Sequence, residues 1–240
     1  MLPDCLRVLY LHGFASGPRS RKATFFLQNF QALGIPFEVP DLAAGNFERL
    51  TVTGQLSLIE KILATGSRAR DATGTRACDR TVLMGSSLGG YLAALVAAHH
   101  PEVARLVLLA PAFHFHELWT RELGPERLEL WRKSGSLSTF HYGEGRDMPI
   151  GYQLLEDAGR YEPAPAFRQP ALIFHGTEDR VVPVQYSAEF AQVHPNVRLV
   201  RLQSGHELTD VLDEIWQQTK DFLLPNPAAE SDRLGVLNRL

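Results

Sequence analysis

The chain has 240 residues, 45% of them apolar and 21% charged, an ordinary composition for a water-soluble globular protein. At that length folding buries roughly three quarters of the surface of the unfolded chain, so a core needs no disulfide or structural metal. A net charge of −3 argues against a general nucleic-acid or anionic-membrane surface, and two cysteines, Cys5 and Cys78, make neither a disulfide framework nor a C-x-x-C metal pair.

The opening MLPDCLRVLYLHGF has an acid at Asp4, no basic leader and only a short apolar run, unlike a secretory signal. With nothing near the length of a membrane span, this sets the expectation of a cytoplasmic protein with no stable membrane association. LRVLYL (6–11) reads as a strand and runs into LHGFASGP (11–18). The basic cluster Arg19, Arg21 and Lys22 that follows is too small to overturn the charge argument. A helical pattern at 20–33, a strand at IPFEVP (35–40), a helix at 51–65 and a polar surface loop at 66–78 come next. Then RTVLMG (80–85), a helix at 88–99, ARLVLLA (104–110), PALIFH (170–175), a helix at 184–193, VRLVRL (197–202) and a helix at 207–223 continue the alternation. Three of the strand runs are almost wholly apolar, as parallel strands covered on both faces are. The pattern predicts an α/β domain over 1–224, a mostly parallel sheet with helices on both faces and ligands at the carboxyl ends of its strands.

One connection breaks the rhythm: about 60 residues separate the strand ending at Ala110 from the next, far more than a loop needs. FHELWTRELGPERLELWRK reads as two helices broken at Gly124-Pro125, and SLSTFHYGEGRDMPIGYQLL as a hairpin around Gly143–Gly145. Residues 112–165 are therefore expected to form a small inserted lid, and 225–240, opening with two prolines, a loose tail. Most aromatics of the insert are expected to pack, with Trp119, Phe113 and Tyr142 as candidates to face a substrate.

The stretch VLMGSSLGGY (82–91) leaves an apolar strand and enters a helix. A nucleophile on a sharp strand-to-helix turn needs small residues two positions away on each side. Ser87 has Gly85 and Gly89 there, whereas Ser86 would have Met84 and Leu88. Ser87 is the candidate, and the Leu88 N–H at the helix start is one candidate oxyanion donor. A serine hydroxyl needs a base, and the base an orienting acid. In the chain order Ser, acid, His, the loop HGTEDRVVP (175–183) offers Asp179, with Glu178 less favoured, and SGHEL (204–208) offers His206. The second oxyanion donor is expected from Phe14, after His12-Gly13 at the end of the first strand. His175 is read as orienting its own loop, His99, His100 and His194 as surface or turn residues, and His114, His116 and His141 as part of the insert. No histidine spacing matches a metal site, and no cofactor is implied.

Together these residues resemble the α/β-hydrolase superfamily over about residues 6–224. LHGFASGPRSRKA, GSSLGGY and SGHEL look closest to small bacterial esterases of the YqiA/YcfP type, with similarity also to mitochondrial depalmitoylating hydrolases. The resemblance implies a cofactor-free serine hydrolase of esters or thioesters, with nucleophile Ser87, acid Asp179 and base His206, acting on a small-molecule ester. It also implies that the first strand lies centrally in the sheet. An acyl thioesterase would use the same residues, and a non-catalytic receptor on this fold is the alternative from another class.

Overall fold

The computed structural model describes residues 6–66 and 80–224; Cys5, Cys78, nearly all of the surface loop expected at 66–78 and the expected tail lie outside the described residues. In chain order the elements are β1 (Leu6–Leu11), α1 (Arg21–Ala32), β2 (Phe37–Glu38), α2 (Val52–Gly66), β3 (Arg80–Ser86), α3 (Leu88–His99) and β4 (Val103–Leu109). They continue with α4 (Phe115–Ser134), β5 (Ser136–His141), β6 (Arg146–Gly151), α5 (Gln153–Ala158), β7 (Ala171–Gly176), α6 (Val184–Val193), β8 (Val197–Leu202) and α7 (Leu212–Leu223). Six strands form one sheet in the order β2-β1-β3-β4-β7-β8, every adjacent pair parallel.

Strand periodicity divides the core between the two faces of the sheet. In β1, Val8 and Tyr10 join Phe26 and Phe30 of α1 and Ile215 of α7 on one face. Leu9 and Leu11 join α2, α3, α6 and the insert on the other. Each fully buried Leu, Val or Phe is worth roughly 1.5–3 kcal/mol relative to exposure, so these two layers dominate the stability.

Three expectations need correction. β1 does not lie at the centre: it is second from the edge, with only the two-residue β2 outside it. Pro36 and Pro40 flank β2 and have no N–H for a ladder, so the strand expected over 35–40 shrinks to Phe37–Glu38. The last helix begins at Leu212 rather than 207, because buried Leu208 takes a left-handed backbone (φ 55) and turns the chain before the helix can start.

The insertion between β4 and β7 has its own order. α4 is two helical segments meeting at Gly124 (φ 69, ψ 169), with Pro125 at the start of the second, where a missing N–H costs nothing. β5 and β6 form the expected antiparallel hairpin, while the short α5 was not anticipated. Buried Trp131 joins helix to hairpin through Nε1–H, which donates to the Ile150 carbonyl at 2.9 Å. Asp157 ties the insert to the start of α2, accepting from the Thr53 N–H and hydroxyl at 2.7 Å each.

Candidate active site

The carboxyl ends of β1, β3, β7 and β8 bring four loops together. At the end of β3, Ser87 adopts φ 53, ψ −117, a backbone region that costs a non-glycine residue about 1–3 kcal/mol. Four hydrogen bonds hold it there. Its N–H donates to Leu109 O at 2.9 Å, and its carbonyl accepts from the N–H groups of Gly90, Tyr91 and Ala112 at 2.9–3.1 Å. A Cβ on Gly85 would collide with the Gly89 carbonyl, and one on Gly89 with the carbonyl of Leu11. The turn thus needs glycine at both positions for space.

His206 sits in the loop between β8 and α7, its Nε2 3.0 Å from Ser87 Oγ and its Nδ1 2.7 Å from Asp179 Oδ2. The Asp179 side chain is fully buried, and Oδ1 accepts from the N–H groups of Val181 and Val182 at 2.8 Å each. Burial alone would raise the Asp179 carboxyl. Hydrogen bonds from His175, His206 and the Val182 N–H, with the charge of a protonated His206, outweigh it and hold the group below the usual carboxylate range. The acid and base loops are tied to each other as well: the Glu178 N–H donates to Ser204 O at 3.0 Å. Lys22 of α1, nearly buried, donates to the Glu207 carbonyl at 2.8 Å and to its carboxylate at 3.1 Å, fixing the residue next to His206.

Gly13 packs against Ser87: a Cβ on Gly13 would stand 3.4 Å from the Ser87 Cβ. The Leu42 N–H donates to His12 Nε2 at 3.2 Å, so the ring proton is on Nδ1, which donates to Gly13 O at 3.0 Å. That carbonyl belongs to the peptide whose N–H is Phe14's, and His12 therefore holds the plane of that peptide. Burial pushes the His12 imidazole down, against the opposing pull of the Gly13 carbonyl, and favours its neutral form. No hydrogen bond of the Phe14 or Leu88 N–H is found among the described residues.

The three residues expected to face substrate separate. Trp119 is partly buried, edge-on to the Phe14 ring at 4.9 Å, and Phe14 also meets Phe47 at 5.4 Å. Phe113 is fully buried with its ring against Phe190 at 4.7 Å. Tyr142 is 76% exposed, its ring against Phe140, while its N–H donates to Ala15 O at 2.7 Å. A cavity lined by His12, Phe14, Leu42, Phe47 and Gln55 has about 10 Å³, room for about one water and none for an acyl chain.

Sequence reasoning missed what His12 and Lys22 touch, whereas His175, read as orienting its own loop, bonds the Val182 carbonyl and meets Asp179 within it. A signal was present for the two histidines: His-Gly follows β1 directly and ends β7, beside the loops that supply Phe14 and Asp179. Among the described residues no group of three or more His, Cys, Asp or Glu could hold a metal ion, and no helix is long and apolar enough to cross a membrane.

Residues 7–223 match the uncharacterised protein family UPF0227. Mouse alpha/beta hydrolase domain-containing protein 10 superposes with a TM-score of 0.72 at 22% identity, covering 93% of this chain and 90% of that one. Est1E from Butyrivibrio proteoclasticus, with ferulic acid bound, gives 0.71 at 20% identity over 90% and 89%. A structure of the metagenome-derived lipolytic enzymes LipS and LipT gives 0.67 at 19% identity over 93% and 95%. No curated protein matches the chain. The fold is the α/β-hydrolase fold, as its sequence motifs led us to expect.

Proposed function

We propose, from the premise that this chain belongs to the uncharacterised protein family UPF0227, that it is a serine hydrolase cleaving carboxylic esters through an acyl-enzyme on Ser87. The observation that carries the reading is the continuous line Ser87 Oγ, His206, Asp179 at 3.0 and 2.7 Å, with the serine on a strained turn at a strand end. That the bound ligand of Est1E is ferulic acid, and that LipS and LipT are lipolytic, supports esters as the substrate class.

In this reaction Ser87 Oγ attacks the acyl carbonyl while His206 Nε2 takes its proton. Asp179 holds Nδ1–H and stabilises the imidazolium. The oxyanion rests on the N–H groups of Phe14 and Leu88. His206 then returns the proton to the departing alcohol, and the carbon–oxygen bond breaks to leave the acyl-enzyme. A water, deprotonated by the same imidazole, attacks the acyl carbonyl and restores the Ser87 hydroxyl with release of the acid. No step draws on a cofactor. Residues 112–165 act as a lid that shapes the acyl site: Trp119 rests on Phe14, and the Tyr142 N–H joins the hairpin to the loop that carries Phe14. Small to medium acyl esters are the expected substrates.

The test is hydrolysis of p-nitrophenyl esters from acetyl to palmitoyl, wild type beside Ser87→Ala. Loss of about 10⁴-fold or more in kcat on Ser87→Ala is expected, with an optimum at short or medium acyl groups. Retained activity in the variant sinks the mechanism, and an optimum at palmitoyl moves long-chain acyl thioesters ahead of small esters.

A further inference from the structure

His175 closes β7 with no exposed surface, and the reaction as written gives it no part. Its Nδ1 lies 2.8 Å from Ser187 Oγ of α6. Its Nε2 lies 2.9 Å from the Val182 carbonyl oxygen and 3.2 Å from Asp179 Oδ2. Both neighbours of Nε2 are acceptors, so the ring proton belongs on Nε2, and the Ser187 hydroxyl donates to Nδ1. The Asp179 oxygen that His175 meets is the one that meets His206. Oδ2 thus lies between two imidazoles, while the backbone N–H groups of Val181 and Val182 occupy Oδ1.

We propose that His175 is a positioning residue of the hydrolysis: its Nε2–H, donated to the Val182 carbonyl, also faces Asp179 Oδ2 and so shares that oxygen with His206, fixing the carboxylate and limiting how tightly it holds the imidazolium formed at His206. The proposal rests on the reading of Ser87, His206 and Asp179 as a catalytic triad. A carboxylate held only at Oδ1 can still rotate its other oxygen away from Nδ1 of His206; the second imidazole opposes that rotation. It also spreads the charge on Oδ2 over two donors. Without it, all of that charge bears on His206, and the protonated imidazole persists to higher pH. In the same sense, the His175 hydrogen bond is the foremost of the effects that keep the Asp179 carboxyl ionised against its burial.

The other charged groups nearby are engaged elsewhere or exposed. Glu178 and Arg180 flank Asp179 on the surface, Glu207 beside His206 is paired with Lys22, and Asp210 accepts from Ser204 Oγ at 2.5 Å. Toward His175, α6 presents the Ser187 hydroxyl. The balance at Oδ2 therefore belongs to the two histidines.

The test is the pH profile of kcat/KM on a short p-nitrophenyl ester for wild type, His175→Phe and His175→Gln. Phenylalanine keeps the ring and loses the donor, whereas the glutamine Nε2 reaches the place of the imidazole Nε2. His175→Phe is expected to move the acid limb up by about 0.5–1 pH unit and lower the plateau about tenfold, with His175→Gln close to wild type. Superimposed limbs, or a glutamine limb displaced as far as that of phenylalanine, overturn the proposal. Should His175→Phe not fold, the ¹⁵N resonances of wild-type His175 decide: a proton on Nε2 with Nδ1 accepting is expected, and the reverse tautomer overturns it. A wild type that hydrolyses no ester, or a Ser87→Ala that hydrolyses as well as wild type, would instead strike the triad reading, and the tautomer would still judge whether His175 Nε2 can donate toward Val182 and Asp179.

Discussion

Glycine does different work at the Ser87 turn and in the insert over 112–165. Gly85 and Gly89 have no room for a Cβ, because backbone carbonyls of α3 and β1 occupy the place, and Gly90 packs 3.0 Å from Pro111 Cα by the same measure. Gly124, Gly135 and Gly145 have no atom within 4 Å of such a Cβ; they are glycine because φ is 69, 73 and 67. The turn is specified by what the neighbouring backbone leaves free, these three positions of the insert by what the chain must do to change direction, though at Gly151 of the insert the Gln153 side chain also takes the place of a Cβ. Gly89 therefore cannot gain a side chain without moving the end of β1, nor Gly85 without moving the start of α3, whereas at Gly124, Gly135 and Gly145 the space for one is open.

Gly89→Ala tests that contrast most severely. Its methyl group would displace the Leu11 and His12 carbonyls at the end of β1, and with them the peptide that presents the Phe14 N–H. A loss above about 4 kcal/mol is expected, or failure to fold, read by urea denaturation with far-ultraviolet circular dichroism. A variant with the wild-type midpoint would show that the close approach of α3 to β1 is not a constraint.

The same contrast explains what could be read from the chain alone. Ser87, Asp179 and His206 were legible because each follows a strand in a loop with glycine nearby (Gly85 and Gly89, Gly176, Gly205), and the structure brings the three side chains together. The start of α7 was not legible, since it depends on Leu208 being pulled into the core with a left-handed backbone. Nor was the target of His12, and for His175 the loop it orients was legible but not the Asp179 oxygen it shares. The same His-Gly dipeptide follows β1 and ends β7, yet one ring turns to its own next peptide and the other to a carboxylate four residues on. Ring direction is set by the neighbours, Leu42 in one case and Ser187 in the other, which lie far away or on another element. In the insert, aromatic content announced packing, but the division of Trp119, Phe113 and Tyr142 among half-buried, fully buried and exposed positions follows from how α4 and the hairpin dock.

Within the insert, Trp119→Ala is expected to have the larger effect. The indole is partly buried between Phe14, Phe115 and Trp131, so its loss costs about 2 kcal/mol, less than a fully buried tryptophan. Because Trp119 rests edge-on against the ring of Phe14, the variant is also expected to shift the preferred acyl length in the p-nitrophenyl series. A fall in thermal midpoint with an unchanged acyl preference would reduce Trp119 to packing.

Tyr142→Ala should have the smallest effect, and it separates backbone from side chain at the tip of the hairpin. The N–H of residue 142 carries the 2.7 Å bond to Ala15 O, and alanine keeps it. The ring is 76% exposed and touches Phe140, which is itself 47% exposed, so stability should change by less than about 0.5 kcal/mol. If the ring meets the acyl group, KM should rise about threefold for longer esters with kcat unchanged, and stay put for the acetyl ester, the mark of binding energy shared by ground and transition states. A fall in kcat for the acetyl ester would mean something else: that the ring, and not the backbone bond, holds the loop bearing Phe14 against Ser87, and the insert would then belong to the turn's architecture rather than stand apart from it.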